Sequence, residues 1–384
     1  MSNNVTATLL AGIPIENPAF FHRVRFSVGD PAAWLSFNIA GQQRTEFIVR
    51  DIEKDRAIKQ VKADRVSCPA DYEPAGGLSG DRATATAQAV AECARRAGVS
   101  LVTTDRTLPY IFAWHLQQAG IAVDYSADLG VLDRRVKDAQ ELEWLAASQQ
   151  ATEAAMLMAC QTVARATANR DGILMHEGAA LTSERLRKMI SVYLLDLGYA
   201  TPNDSIVAST PHSADCHERG SGPLYTGQSV IVDIFPRSLA TSYWGDCTRS
   251  VVHGDVSDEM KKMHAAVVDT KAQATLAAKA GAMADDVHGA TKSTLAKHGY
   301  PFVRGEISDT PVLPHGTGHG IGLECHEPIL LDDRGGQLLK GEVFTIEPGL
   351  YSRNFGGVRV EDMVVVTDGV PRNLNKLPEG LDWR

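Results

Sequence analysis

The chain has 384 residues, of which 44% are hydrophobic and 22% charged, and its formal net charge is −9. These values are ordinary for a soluble globular protein with one large domain or two smaller ones. The acidic balance argues against a nucleic-acid partner, because phosphate contacts require clustered lysine and arginine.

Targeting signals and cysteine usage together indicate the compartment. No segment approaches the roughly 20 consecutive apolar residues of a membrane span, and the start of the chain lacks the basic and apolar regions of a signal peptide. The six cysteines are scattered and form no C-x-x-C pair, which favours reduced thiols over a disulfide framework. We therefore expect a cytoplasmic protein with no membrane partner.

The first third of the chain alternates strand patterns with helical ones. Strands are predicted over 46–50, 99–105 and 121–125, and helices over 82–97 and 108–120. Alternation of strands and helices is typical of an α/β layer. We predict an α/β domain over residues 1–132.

The remainder of the chain mixes long helices with short apolar strands. Helices are predicted over 138–167, from 183 onward, over 258–279 and over 284–298, and strands over 229–235, 342–348 and 358–366. Thr182 stands where the second helix begins, and threonine is a good N-cap residue. We predict an α+β domain over residues 133–384, with its chemistry at strand ends.

A segment rich in histidine and glycine, residues 315–327, is the most informative part of the sequence. His315, His319 and His326 stand four and then seven residues apart among four glycines, which allow close backbone packing or positive φ. Histidines at such fixed spacing suggest a metal site. Alternation along a strand is expected to point Cys325 away from that site, and we do not expect it to act as a catalytic nucleophile.

Four acidic residues stand in unusually apolar surroundings. Asp233 ends an apolar run, Asp246 precedes a strand, Glu347 follows β-branched residues, and Glu361 lies inside the predicted strand 358–366. A buried charge must be paired or bound to a metal ion to avoid a large desolvation cost. Asp362 should point to the opposite face of the strand from Glu361, and we expect it to be solvated.

The four carboxylates and one histidine together match the ligand set of a two-metal hydrolytic centre. Four carboxylates in close proximity repel one another, whereas two divalent cations balance their four negative charges. An imidazole in the ligand set favours manganese, cobalt, zinc or iron over magnesium and calcium. We expect two divalent metal ions, with manganese as the first choice.

These motifs resemble those of the Xaa-Pro aminopeptidases and Xaa-Pro dipeptidases (prolidases), which are metallopeptidases of the pita-bread fold. The specific motifs lie between about residues 207 and 363, and all five ligand positions occur in the family's order. The resemblance implies an α/β N-terminal domain, an α+β pita-bread (creatinase/aminopeptidase-like) catalytic domain, a proline-containing peptide substrate and a homodimer.

The resemblance also implies a role for each matching residue. The residues implied as metal ligands are Asp233, Asp246, His319, Glu347 and Glu361. Glu347 would also shuttle a proton, and His326 would steady the substrate carbonyl. His217 would line the substrate pocket, while His315 and Arg359 would line it or orient ligands, and Tyr351 would face the site.

The sequence departs from the family pattern at two places and leaves three further functions open. Twelve residues rather than ten separate Asp233 from Asp246, which preserves side-chain parity along a hairpin, and Cys216 replaces a common proline before His217. A methionine aminopeptidase shares the ligand set but needs no large upstream domain. A metal-free creatinase-like amidinohydrolase and a non-catalytic protein of the same fold also remain open, although both would be expected to lack these ligands.

Overall fold

The computed structural model of the protein describes residues 5–39 and 41–384. After Arg134 the chain divides into two compact units, close to the point where the sequence predicts a domain boundary. None of the helices within the described ranges combines the length and the apolar character needed to cross a membrane.

The first unit contains one six-stranded mixed sheet with helices on both faces. Its strands are β1 (Val5–Gly12), β2 (Ala32–Ile39), β3 (Gln42–Ile48), β4 (Arg65–Ser67), β5 (Val99–Thr104) and β6 (Ala122–Tyr125). Its helices are α1 (Pro18–Val24), α2 (Lys54–Gln60), α3 (Arg82–Arg96) and α4 (Tyr110–Gln118). The strand order is β4-β3-β2-β1-β5-β6, with β1–β2 and β2–β3 antiparallel and the other pairs parallel.

Side-chain alternation along β1 explains the two layers of helices in this unit. Leu9 belongs to the core beneath α3 and α4, which includes Phe112. Its neighbour Leu10 belongs to the core on the other face, which includes Phe20 of α1. Successive side chains of a strand point to opposite faces, so β1 is apolar on both sides. The unit is the α/β layer that the sequence predicts.

The second unit carries the long helices and a larger number of short strands. The helices are α6 (Ala139–Ala164), α7 (Ser183–Asp196), α8 (Asp258–Ala277) and α9 (Ala284–Lys297), and the four-residue α5 (Leu132–Arg135) stands where the chain divides. The strands are β7 (Thr167–Ala168), β8 (Leu174–His176), β9 (Ala179–Ala180), β10 (Tyr199–Ala200), β11 (Ile206–Ser209), β12 (Ser229–Ile234), β13 (Arg237–Ser238), β14 (Cys247–Val252), β15 (Gly318–Gly320), β16 (Glu327–Leu331), β17 (Val343–Ile346), β18 (Gly349–Ser352), β19 (Gly356–Arg359), β20 (Asp362–Val365) and β21 (Arg372–Asn373). The Thr182 side chain accepts a hydrogen bond from the Arg185 N–H, as its expected N-cap role requires.

An antiparallel sheet of order β11-β12-β14 packs against α6 and α7. Every residue of β12 is buried. Val230, Val232 and Ile234 belong to the core shared with the two helices. Ile231 and Asp233 must therefore point to the opposite face. Burial on both faces explains the continuous apolar run that precedes Asp233 in the sequence.

A five-stranded antiparallel sheet of order β16-β15-β17-β20-β21 packs against α8 and α9. Phe344, Ile346 and Val364 belong to the core on the helix side. Alternation then places Thr345 and Glu347 on the face away from those helices. Helices thus cover one face of each of the two sheets, and acidic residues lie on the opposite face.

The predicted strand 358–366 is wrong as a single element, because it is interrupted at Glu361. Strand β19 ends at Arg359 and pairs with β18, whereas β20 begins at Asp362 and pairs with β17. Between them the Glu361 N–H donates to the Thr248 carbonyl at 3.0 Å, and Arg249 donates to the Glu361 carbonyl at 2.6 Å. Hydrogen bonds to β14 thus replace ladder bonds at this residue.

Asp362 is buried, so the prediction of a solvated carboxylate is wrong. It shares the helix-facing side of β20 with Val364, and α8 covers that side. Arg249 lies 2.7 Å from one of its oxygens, and Lys271 of α8 forms an ion pair with the other. Alternation gave the correct face of the strand, but it could not show that a helix covers this face.

Replacing Asp362 by alanine is expected to lower the free energy of unfolding by about 3–5 kcal/mol, because it leaves the buried Arg249 without its carboxylate partner and Lys271 paired with the partly exposed Glu379. Arg249 and Lys271 have side chains only 0% and 4% exposed. Urea denaturation measures the change. The control Asp368→Ala removes an acid that is 72% exposed and should cost less than about 1 kcal/mol. Equal destabilisation by the two substitutions would contradict the buried ion cluster.

Candidate metal centre

A cavity of about 350 Å³ lies in the second unit, and it is lined by nearly all of the ten residues for which the family resemblance implies a role. Nine of those ten residues line it: Asp233, Asp246, His319, Glu347, Glu361, His217, His315, His326 and Arg359. Tyr351 is 1% exposed and lies behind the cavity wall, in contact with two of the lining residues. The fold therefore brings together side chains that are spread over about 140 positions of the chain.

Asp233 and Asp246 enter the cavity from the β12–β14 hairpin. Asp233 pairs with Thr248 across the sheet, and directly paired residues share a face. Asp246 precedes Thr248 by two positions, so it also points to that face. The two extra residues of the hairpin leave the parity of the two aspartates unchanged, as the sequence predicts.

His319 lies on β15 and directs one ring nitrogen at two carboxylates. Its Nε2 is 3.7 Å from Asp246 Oδ2 and 3.4 Å from Glu347 Oε1. Its Nδ1 lies 3.1 Å from the Gly320 carbonyl, which assigns the proton to Nδ1 and leaves the Nε2 lone pair facing the acids. Burial lowers the pKa of His319 to about 4. The ring is therefore a neutral imidazole, the form that binds metal ions.

The glycines around His319 are required by close packing. A Cβ added to Gly318 would lie 2.0 Å from the Thr345 carbonyl oxygen, and one added to Gly322 would lie 2.7 Å from a carboxylate oxygen of Glu327. Neither glycine has a positive φ. Of the two roles that the sequence allowed for these glycines, close backbone approach is the one that applies.

Two threonines orient the glutamates of the cavity. Thr248 donates to Glu361 Oε2 at 2.7 Å, and the Thr345 hydroxyl lies 3.4 Å from Glu347 Oε1. Neither threonine was predicted from the sequence. Each stands two residues along a strand from an acid of the site, at Asp246 and Glu347, so side-chain alternation could have identified them.

The electrostatics of the cavity are unfavourable without further positive charge. Burial first, and then neighbouring carboxylates, raise the pKa values of Asp246 and Glu361 well above their usual range. Burial likewise raises the pKa of Glu347 to about 7, although Arg359 opposes this shift. Closely spaced buried acids hold protons unless cations balance them.

Arg359 supplies one of the balancing charges. Its Nη2 lies 2.5 Å from Asp233 Oδ2, and its Nη1 donates to the Tyr351 hydroxyl at 2.8 Å and to the Cys216 carbonyl at 3.1 Å. The Tyr351 hydroxyl lies 3.0 Å from His315 Nε2. Burial, together with Arg359, lowers the pKa of His315 to about 3. A chain of hydrogen bonds thus joins a neutral His315 to the arginine beside Asp233.

The donor set fits divalent cations. Asp246, His319 and Glu361 offer three ligand atoms within 4.8 Å of one another. In the described part of the chain, Asp233 Oδ1 is a buried oxygen without a hydrogen-bond partner. A buried carboxylate oxygen is costly unless a donor or a cation satisfies it. One arginine cannot balance four carboxylates, whereas metal ions bound between them can.

The remaining two histidines lie at the more accessible part of the cavity. The ring centroid of His326 is 4.2 Å from that of His319. Its partial burial and the neighbouring His319 lower the pKa of His326. His217 is exposed, and its backbone N–H donates to Asp215 Oδ1 at 2.9 Å. Both rings can reach a molecule that enters the cavity.

Cys325 points into the cavity, so the prediction that it faces away is wrong. Its Sγ lies 3.5 Å from Asp246 Oδ2. Alternation does not apply there, because β15 ends at Gly320 and β16 begins only at Glu327. Burial, followed by the charge of Asp246, raises the pKa of the Cys325 thiol well above its usual range. A protonated thiol is a poor nucleophile, which agrees with the expected absence of cysteine catalysis.

A second group of possible ligands, His288, Asp332 and Asp333, is already neutralised by cations. Arg304 binds both oxygens of Asp332, and Lys292 lies 2.8 Å from Asp333. We interpret this group as an ion-paired cluster rather than a metal site, because a cation there would have to displace two others.

The comparisons with known proteins agree with the geometry. The model of metallopeptidase family M24 matches residues 143–368, which is more than half of the chain. An Xaa-Pro dipeptidase of Pyrococcus horikoshii is 28% identical over 284 residues, or 73% of this chain and 74% of that protein. An Xaa-Pro dipeptidase of Pyrococcus furiosus is 33% identical over 175 residues, or 45% of this chain and 47% of that protein.

Solved structures share the fold. The prolidase from Pyrococcus horikoshii aligns over 99% of this chain and 96% of its own with a TM-score of 0.75 and 21% identity. The X-Pro aminopeptidase from Thermotoga maritima aligns over 98% and 97% with a TM-score of 0.78 and 21% identity. These likenesses confirm the predicted fold, an α/β unit followed by a pita-bread unit. The chain belongs to metallopeptidase family M24.

Proposed function

We propose that the protein is a metal-dependent Xaa-Pro peptidase, which hydrolyses the peptide bond between an N-terminal residue and a following proline. The observation that carries this proposal is the convergence of four carboxylates and one neutral imidazole on a single cavity. Family membership supports it, as do relatives named Xaa-Pro dipeptidase.

The proposed ligands are Asp233, Asp246, His319, Glu347 and Glu361, holding two divalent cations. Two ions match the four carboxylate charges. The imidazole favours a transition metal (manganese, cobalt, zinc or iron) over magnesium and calcium, and the four carboxylates, which suit manganese, make it the first choice. When bound, the cations would polarise the scissile carbonyl and activate the attacking water. Asp233 can contribute the oxygen that lacks a hydrogen-bond partner.

Glu347 is the acid best placed to move a proton. Its side chain is 21% exposed, against 5% for Asp246 and 10% for Asp233. It can therefore reach both the attacking water and the nitrogen of the leaving proline, which must gain a proton when the peptide bond breaks. His326 lies beside His319 at the accessible part of the cavity and can donate to the developing oxyanion.

The cavity suits a short peptide. Its volume of about 350 Å³ lies at the lower end of the ~300–1,000 Å³ typical of small-ligand sites. Ile206, Phe235 and Leu330 line it next to the polar residues, so apolar surface is available for a proline ring.

We further propose that the protein is cytoplasmic and forms a homodimer. The scattered cysteines support the compartment, and the family resemblance supports the homodimer.

The decisive experiment is an assay of the metal-reconstituted protein on four substrates. Gly-Pro and Ala-Pro-Ala should be cleaved after the first residue with added Mn(II) and spared after chelation. Met-Ala-Ser and creatine should remain intact. Preferential release of methionine would indicate a methionine aminopeptidase, and creatine hydrolysis by metal-free protein would indicate an amidinohydrolase. Either outcome would contradict the proposal.

His326→Ala is expected to lower kcat by about 10²–10³-fold, the usual cost of removing one oxyanion donor. Metal content should stay at the wild-type level, because the ring lies beside the ligand set rather than within it. Elemental analysis and steady-state kinetics on Ala-Pro-Ala test both statements. Loss of metal from this variant would place His326 among the ligands.

A further inference from the structure

The side chain of Gln149, in α6, forms hydrogen bonds with both the backbone N–H and the backbone carbonyl of Asp246. The Asp246 N–H donates to Gln149 Oε1 at 2.9 Å, and Gln149 Nε2 donates to the Asp246 carbonyl at 2.6 Å. The Gln149 side chain is fully buried. Asp246 stands just before β14, whose ladder with β12 begins at Cys247. The amide therefore replaces ladder bonds that the aspartate lacks.

Asn375 extends this contact to the strand after Glu361. Its Oδ1 accepts from Gln149 Nε2 at 2.9 Å and from the Met363 N–H at 2.8 Å, and its Nδ2 lies 3.4 Å from Cys247 Sγ. Met363 follows Glu361 by two residues, and Cys247 follows Asp246 by one. The two amides thus connect the backbone segments that carry two of the acids.

All the polar groups of Gln149 are used in these contacts. An amide side chain offers two N–H donors and one carbonyl acceptor, and here each has a partner from the Asp246 backbone or from Asn375. Such a fully satisfied buried amide fixes its partners in a single arrangement. A site that binds metal ions depends on ligands held in place before the ion arrives.

We propose that Gln149 and Asn375 are positioning residues that set the separation of Asp246 and Glu361 for metal binding. This inference rests on the proposed metal centre. Neither amide touches the carboxylate oxygens, so both act through the backbone. Outer residues of this kind usually contribute 10–100-fold to metal affinity.

The test measures Mn(II) binding by calorimetry on metal-free protein and the visible absorption of Co(II)-loaded protein. Gln149→Met keeps the length of the side chain but removes all three hydrogen bonds. We expect its Mn(II) dissociation constant to rise about 10–100-fold and its Co(II) spectrum to change. Asn375→Ala should shift affinity in the same direction by less, because Asp246 keeps both its bonds to Gln149.

Gln140→Met is the matched control, because Gln140 is exposed on the same helix. It should bind Mn(II) as the wild type does. If Gln149→Met does not fold, the half-buried Asn375 decides the matter through Asn375→Ala. Variants that lose stability but keep wild-type affinity and the wild-type Co(II) spectrum would overturn the inference. A wild-type chain that binds neither ion would refute the proposed function itself.

Discussion

Asp246→Asn is expected to lower kcat/KM on Ala-Pro-Ala by about 10³-fold or more, because a metal centre supplies several kcal/mol of transition-state stabilisation. The substitution keeps the size of the side chain, and Gln149 still holds the backbone of residue 246. What changes is one ligand oxygen and one negative charge. Kinetics with saturating Mn(II), together with elemental analysis, measure the loss.

The same variant should behave differently in a stability measurement. Burial and neighbouring acids raise the pKa of Asp246, so its charged form works against folding in metal-free protein. A neutral amide removes that repulsion. Chelated Asp246→Asn should therefore unfold at a urea concentration no lower than that of the chelated wild type.

Added Mn(II) should stabilise the wild type against urea but should not stabilise Asp246→Asn. A ligand at 100 times its dissociation constant stabilises the folded state by about 2.7 kcal/mol, and only the wild type should gain this. Asp258→Asn, at an aspartate 91% exposed, is the matched control and should retain both activity and metal stabilisation. Wild-type turnover by Asp246→Asn would contradict the proposed ligand set.

Local patterns were sufficient to predict most of the architecture. The apolar run before Asp233 and the β-branched residues before Glu347 lie in strands that are buried throughout, and burial on both faces leaves a pattern within the strand itself. The pattern also locates the acids, since each charge interrupts an apolar stretch. Thr182 begins its helix because an N-cap depends only on adjacent backbone.

The errors arose where residues distant in the chain decide the local conformation. Glu361 interrupts a predicted strand because Thr248 and Arg249 of another strand bind its backbone. Asp362 is buried because α8 covers its face. The sequence around residue 361 predicts neither the hydrogen bonds to Glu361 nor the helix over Asp362, because alternation gives only the direction of a side chain and not the residues that it contacts.

The same limitation applies to the residues around the proposed ligands. Gln149 lies 97 positions from the aspartate that it holds, and nothing in its helix distinguishes it from the neighbouring glutamine. The predicted direction of Cys325 was wrong because the segment between β15 and β16 is irregular and not a strand. Ligand residues carry a chemical signature in the sequence, whereas the residues that support them are visible only in the fold.

His319→Ala is expected to reduce Mn(II)-dependent turnover by about 10³-fold or more and to change the order of metal preference. His319 supplies the only nitrogen in the proposed ligand set, and the residues that remain offer only carboxylate oxygens. An all-oxygen set suits magnesium, calcium and manganese, whereas imidazole favours zinc and cobalt. The variant should therefore lose more affinity for Co(II) and Zn(II) than for Mn(II) or Mg(II).

Calorimetric titration with each ion measures this order. His298→Ala, at an exposed histidine paired with Asp269, is the control. An equal loss for all four ions would mean that His319 acts by shaping the cavity and not as a ligand.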